Sequence, residues 1–213
     1  MIEPPERLAE RDHAIEAMLP NVPFDGWTKR ALKAGLRSAR MPEEEADLLF
    51  PLGTVDMIAT FCDLADRRME EAAKAIGETR LTKRVRAVIA LRLAQNRPHK
   101  EAIRRALAVL ALPVNSRASA AMLARTVDAI LHAAGDRSAD FSWYTKRAIL
   151  AGVYSATILF WLRDSSEENE ATLAFLDRRL AGIGRIGRLR RRVDRLAERL
   201  PALPKPRLPF ANG

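Results

Sequence analysis

Along most of the chain apolar residues return at every third or fourth position, as in Val85, Val88, Ile89 and Leu93, the period that lays one stripe along an α-helix. Ala, Leu, Arg and Glu dominate and β-branched runs are scarce, so propensity points the same way. No alternating strand pattern competes, and no internal repeat is visible. Breakers divide the pattern at "NVPFDG" from 21, "MP" at 41, "FPLG" at 50, "NRP" at 96, "LPVNS" at 112, "AGDRS" at 134 and "RDSSEE" at 163. The expectation is an all-α chain of roughly eight to ten helices. Ser165 followed by Glu168 has the spacing of a capping box and starts a helix through Leu173, Leu176 and Leu180. One helix earlier, Asp140 can cap a first turn that carries Trp143 and Tyr144. Beyond them Ile149, Val153, Ala156 and Phe160 are spaced four, three and four apart, which makes theirs the expected core side.

That helix contains the longest uncharged run, Ala148 to Leu162. A membrane span needs about 20 apolar residues, so a buried core helix is the reading. With 213 residues and 48% hydrophobic content, the chain can bury one large core or two small ones. A single cysteine, Cys62, excludes an internal disulfide and is most simply a small buried apolar residue. The start, "MIEPPERLAERDHAIEA", has acids and prolines where a secretory signal has an apolar run, so the expected compartment is the reducing cytoplasm.

The net charge of +9 changes the picture only through its location. Residues 178–213 hold eleven Lys and Arg against Asp194 and Glu198, which leaves 25 residues of each sign in 1–177. The body is neutral, and an anionic surface would be met by the C-terminal segment. From Ile183 the apolar residues Ile186, Leu189, Val193, Leu196 and Leu200 form one narrow helical stripe. Arg185, Arg188, Arg190, Arg191, Arg192, Arg195 and Arg199 fill much of the rest. Two roles are open to this amphipathic helix: packing its stripe on the body, or lying in an anionic membrane interface. The membrane-binding set in the second case is Ile183, Arg185, Ile186, Arg188, Leu189, Arg191, Arg192, Val193, Arg195, Leu196, Arg199 and Leu200. "GIGRIG" at 182–187 has dinucleotide-motif spacing but no preceding strand, and reads as a joint. "PALPKPRLPFANG" after Leu200 carries four prolines and reads as a disordered end.

The first third has a recognisable order: a helix near 7–19, "FDGW", a helix at 28–37, a short third helix at 42–49 and a long helix from about 54 to 76. This order resembles the TetR regulators, whose third helix enters the major groove. Here that helix reads "PEEEADLL". Glu43, Glu44, Glu45 and Asp47 would face phosphates at one charge per about 1.7 Å of duplex. The helix-turn-helix is therefore degenerate, and no specific nucleic acid is expected. A TetR-like transcriptional regulator stays as the alternative function.

The run from "ALAVLALPVNS" to "ATLAFLDRRL" is similar to the coenzyme Q biosynthesis accessory family, Coq nine, a lipid-binding branch with a TetR-like fold. The matching residues are "LP-N" at 112–115, "AGD-S-DF-WYT-RA" at 134–148, and "DSS" followed by "FL--R". The resemblance implies a non-catalytic protein that binds an isoprenoid quinone lipid or phospholipid and assists the di-iron demethoxyubiquinone hydroxylase. It implies a partner-binding patch at Ile130, Leu131, Asp140, Trp143 and Tyr144. From the residues alone, Trp143 and Tyr144 are either half-buried aromatics at a helix entrance or interface anchors. A lipid site would be lined by Val88, Ile89, Leu93, Leu107, Leu110, Met122, Leu123, Val127, Ile149 and Val153, residues that periodicity fits equally to a solid core.

The chain then divides into a TetR-like N-terminal part at 1–76, a lipid-binding part at 77–181, the basic amphipathic helix at 182–200 and the tail at 201–213. The TetR analogy adds a homodimer through the helices at 143–162 and 167–181. His13, His99 and His132 are dispersed without metal-ligand spacing, and no Ser, His and Asp constellation is arguable. No cofactor, metal or catalytic residue is expected. The expected location is cytoplasmic, peripheral on the inner face of the bacterial inner membrane.

Overall fold

The computed structural model describes residues 5–136 and 142–182, with Ser142 and Trp143 placed by backbone alone. Among these residues there is no strand. The helices are α1 (Ala9–Met18), α2 (Val22–Asp25), α3 (Lys29–Ser38), α4 (Ala46–Leu49), α5 (Thr54–Ala73), α6 (Leu81–Asn96), α7 (Lys100–Leu110), α8 (Ser116–Ala133), α9 (Ser142–Trp161) and α10 (170–182). The all-α expectation holds, and the breakers fall at boundaries except for "NVPFDG", whose residues 22–25 form the short α2. The short third helix is split into a 3-10 turn at Glu43–Glu45 and the four-residue α4.

Thr28 caps α3 by accepting from the Ala31 N–H at 3.2 Å, while Gly26 takes a left-handed turn at φ 71° just before it. α1 and α3 approach so closely at Gly35 that a Cβ there would stand 2.7 Å from the Met18 backbone. Glycine is required by packing, not by conformation, since its φ is ordinary for a helix.

Two clusters of buried side chains share α5. One gathers Ile15, Met18, Trp27, Leu32, Leu36, Ile58 and Phe61, and α7 contributes Ala102, Ala106 and Leu110 to it. The other gathers Met69, Val85, Val88, Ile89, Val127, Ile130, Leu131, Trp161 and Leu176. α7 therefore packs with the N-terminal helices although it follows residue 76 in the chain. Polar braces tie α1 to α5: Arg11 pairs with Asp56 inside, and Arg67 reaches Asp12 at 2.7 Å nearer the surface.

Three local expectations need correction. On α9 the core side is Leu150, Val153, Tyr154, Thr157, Ile158 and Trp161. Ile149 is 40% exposed, and Ala156 and Phe160 are only partly buried. A helix apolar nearly all round offers no polar face to fix its rotation, so periodicity selected a stripe beside the true one. α10 is not started by a capping box of Ser165 and Glu168. Asp164 accepts from the Ser166 and Thr172 N–H groups, both at 2.8 Å, and Ser166 Oγ accepts from the Ala171 N–H at 3.0 Å. Burial alone would raise the Asp164 carboxyl; the hydrogen bonds from Ser166 and Thr172 outweigh it and hold the group down at about 2. Third, the helix expected to end near 76 stops at Ala73.

Candidate functional site

The helical runs Leu81–Leu110 and Pro113–Ala133 meet at 94°. Residues from both arms, together with α5 and α9, line a cavity of about 160 Å³. Its walls are largely apolar: Phe61 from α5, Leu93 from α6, Leu107 and Leu110 from α7, Met122 and Leu123 from α8, Ile158 from α9. Leu107, Ser119, Leu123 and Ser155 are partly exposed, whereas Arg92, Thr126 and Tyr154 are buried. The mouth therefore lies on the α7–α8–α9 side and the floor is polar.

The polar floor is lined by Arg92, Thr126 and Tyr154 from three helices, and Asp66 of α5 braces it from behind. Arg92 on α6 donates from Nε to Tyr154 Oη of α9 at 2.8 Å, and its Nη1 stands 2.5 Å from Asp66 Oδ1 of α5. Asp66 Oδ2 in turn accepts from Thr126 Oγ1 of α8 at 3.0 Å. Desolvation pushes the Asp66 carboxyl up to about 6 despite the opposing pull of Arg92. Desolvation disfavours the Arg92 cation, but Tyr154, Asp66 and Cys62 together raise it above its ordinary value. Cys62 is partly buried beside the floor, and its burial pushes the thiol up to about 11, so it is a weak nucleophile at neutral pH.

Of the residues expected to line a lipid site, Leu93, Leu107, Leu110, Met122 and Leu123 meet in this cavity. Val88, Ile89, Val127 and Val153 are instead packed in the second core cluster, away from the lining, and Ile149 faces outward. The polar lining residues Arg92, Thr126 and Tyr154, and Asp66 behind Arg92, were absent from that expectation. A signal for them existed: Arg92 follows Val88 and Ile89 by four and three residues, which puts a charge on the buried face of α6.

The expected patch separates. Ile130 is fully buried and Leu131 is 5% exposed, both in the second core cluster, so neither can meet a partner; their apolar character serves packing. Tyr144 is 72% exposed on the first turn of α9. Asp140 and the Trp143 side chain lie outside the described residues, as do residues 183–213 with the amphipathic helix and the Pro-rich end. Outward on α9 and α10 stand Ile149, Leu159 and the stacked pair Phe160 and Phe175, whose rings are 4.7 Å apart.

On the degenerate recognition unit, Glu43 pairs with Arg37 at 2.6 Å and Asp47 pairs with Lys29. These acids thus occupy two of the four α3 cations, Lys29 and Arg37, that a phosphate backbone would need. Among the described residues, no group of three or more His, Cys, Asp or Glu could hold a metal ion, and no single helix is long and apolar enough to cross a membrane.

The COQ9 family model matches residues 116–187. The mitochondrial ubiquinone biosynthesis protein COQ9 of Rattus norvegicus is 34% identical over 195 residues, 87% of this chain and 62% of that protein. Its counterpart in Schizosaccharomyces pombe is 37% identical, over 78% of this chain and 66% of that protein. COQ9-B of Xenopus laevis is 32% identical, over 92% of this chain and 69% of its own length. The chain thus spans less than two thirds of the rat relative. Among solved structures, a TetR transcriptional regulator from Nitrosomonas europaea superposes with a TM-score of 0.64 at 22% identity, covering 81% of this chain and 96% of that one. The fold is TetR-like.

Proposed function

The chain belongs to the COQ9 family, and from that membership we propose that it serves ubiquinone biosynthesis as a non-catalytic, lipid-binding accessory protein. It holds an isoprenoid quinone precursor or a phospholipid and presents the precursor to the di-iron demethoxyubiquinone hydroxylase at the inner face of a bacterial inner membrane. The observation that carries this reading is the apolar cavity with a polar floor, set in a TetR-like body whose nucleic-acid surface is neutralised by its own acids. The TetR-regulator alternative is not favoured, because the third-helix region carries Glu43, Glu44, Glu45 and Asp47, of which Glu43 and Asp47 also pair with Arg37 and Lys29 of α3.

Lipids extracted from the purified protein and identified by mass spectrometry are expected to include an isoprenoid quinone or its precursor, enriched over the membrane of the producing cell. An extract that contains no lipid above the background of a control protein would overturn the reading.

The partner surface in this proposal is Asp140, Trp143 and Tyr144. An exposed aromatic on a first helical turn offers large contact area at small entropic cost. Tyr144→Ala is expected to leave the thermal midpoint within a degree or so while weakening hydroxylase binding by about 2 kcal/mol. A midpoint that collapses with the substitution would assign Tyr144 to the core instead. The outward faces of α9 and α10, with Ile149, Leu159, Phe160 and Phe175, support a homodimer of the kind that the TetR analogy suggests.

A further inference from the structure

The connection between α7 and α8 is built rigidly and ends on apolar side chains that the body does not cover. Pro113–Asn115 form a single 3-10 turn, and the ring of Pro113 fixes its φ. Asn115 closes the turn twice. Its N–H donates to the Leu112 carbonyl at 2.9 Å, and its Nδ2 donates to the Val109 carbonyl at 2.8 Å. Leu112 and Val114 are thereby presented outward, 52% and 86% exposed. The turn explains the Pro and Asn of the "LP-N" stretch, but it needs neither leucine nor valine. Neighbouring apolar tips on a fixed turn mark a contact surface.

Two observations choose what covers them. Charge is the first. From Ala102 to Val127 the chain has four arginines and no acid, and Arg117, one turn beyond the tip, is exposed. Other strongly exposed apolar tips differ: Phe24 adjoins Asp25, and Leu48 and Leu52 follow Glu43, Glu44, Glu45 and Asp47. An anionic leaflet repels those acids and accepts the α7–α8 turn. Position is the second. Leu107 and Leu110 on α7, and Ser119, Met122 and Leu123 on α8, line the cavity, so the turn joins two of its walls beside the mouth. With the tips immersed in a leaflet, the mouth faces the acyl boundary.

We infer that the α7–α8 turn is a membrane-inserting tip: Leu112 and Val114 enter the acyl boundary of an anionic leaflet while Arg117 stays among the headgroups. The inference rests on the membrane-surface reading above and adds which face of the body meets the leaflet. It is separate from residues 183–200. Their arginines supply the long-range attraction, whereas the turn, with one cation nearby, sets the orientation of the body. Because the turn is already fixed by Pro113 and Asn115, insertion costs little ordering of the backbone.

The test uses the full chain with Cys62→Ala, labelled with a nitrobenzoxadiazole fluorophore through Val114→Cys. A control carries the label through Glu71→Cys, on the last turn of α5, where the side chain is 74% exposed. Vesicles of phosphatidylcholine with phosphatidylglycerol are added, and co-sedimentation reports binding independently of the fluorophore. The label at 114 is expected to shift to the blue and to be quenched by doxyl-labelled acyl chains; the label at 71 is expected to do neither. In the unlabelled chain, Leu112→Gln with Val114→Gln is expected to lower the vesicle partition coefficient by about tenfold or more. Its thermal midpoint should not change, since both side chains already meet water. A chain that sediments with the vesicles while the label at 114 stays in water would overturn the inference and leave the membrane reading intact. Failure of the full chain to sediment would overturn both. Unchanged partition of the double variant, together with weakened capture of the hydroxylase, would assign the tips to a protein partner and overturn the inference.

Discussion

At pH 7 the single substitution Arg92→Met is expected to destabilise the protein by about 3–5 kcal/mol, the cost of breaking a buried ion pair by removing one partner. The loss comes mainly from Asp66, which would be left 7% exposed with only Thr126 Oγ1 to solvate it. Two further measurements identify that origin. Asp66→Asn in the same background is expected to restore most of the stability, since no charge is then buried. Lowering the pH is expected to restore part of it as well. In the parent protein burial already raises the Asp66 carboxyl from 3.8 to about 6, so the folded state binds a proton that the unfolded state releases within that window. Its stability contribution is therefore full below about pH 4 and is lost as pH rises toward 6. Without Arg92 the folded carboxyl rises further, and the loss extends to correspondingly higher pH. Urea unfolding of the two variants at pH 5 and pH 7 measures this directly. An Arg92→Met protein as stable as the parent at pH 7 would mean that water reaches Asp66 and that the floor is not dry.

Which parts of this arrangement were legible in the sequence follows from the physics each part depends on. Helix boundaries were, because Pro98, Pro113 and the Gly135 turn terminate helices through local backbone chemistry that needs no tertiary context. The acidic third helix was also readable, since charge on a surface element survives folding unchanged. Rotation about the axis of α9 was not: with apolar residues on nearly every side, Ile149 and Leu150 are equivalent in sequence, and only the neighbours α8 and α10 decide which is buried. Ile130 and Leu131 illustrate the same limit from the other direction. Their placement on a patch came from resemblance, and an apolar pair on a long helix is as suitable for a core as for an interface. The choice of Asp164 and Ser166 over Ser165 as caps depends on which of three successive polar residues adopts an extended backbone, a distinction that spacing cannot draw. The cavity itself was unreadable, since a void is a property of how helices diverge. Its polar floor, however, left a trace in Asp66 and Arg92, charges set at core positions of α5 and α6 where apolar residues would cost less.

Deleting the segment after Leu180 is expected to abolish binding to vesicles that contain anionic lipid. Residues 183–200 carry the apolar stripe Ile183, Ile186, Leu189, Val193, Leu196 and Leu200 among seven arginines. The body, by contrast, has balanced charge through residue 177, so no other part of the chain offers a comparable electrostatic attraction. Each basic residue near an anionic leaflet contributes about 1 kcal/mol. If only half of the seven reach the surface, the partition coefficient would still change by more than about a hundredfold. The attraction is screened by salt, so co-sedimentation at low ionic strength should fall steeply as salt rises, while burial of the stripe resists screening and leaves a residue of binding. In the helix that the periodicity of 183–200 predicts, glycines at 182, 184 and 187 would permit an orientation independent of α10. Such an anchor would hold the mouth of the cavity at the phase where prenylated rings dissolve. Unchanged binding after the deletion would assign the stripe to packing against the body and the arginines to its solvated face, and equal binding of the full chain to neutral vesicles at high salt would show that the arginines supply none of the attraction.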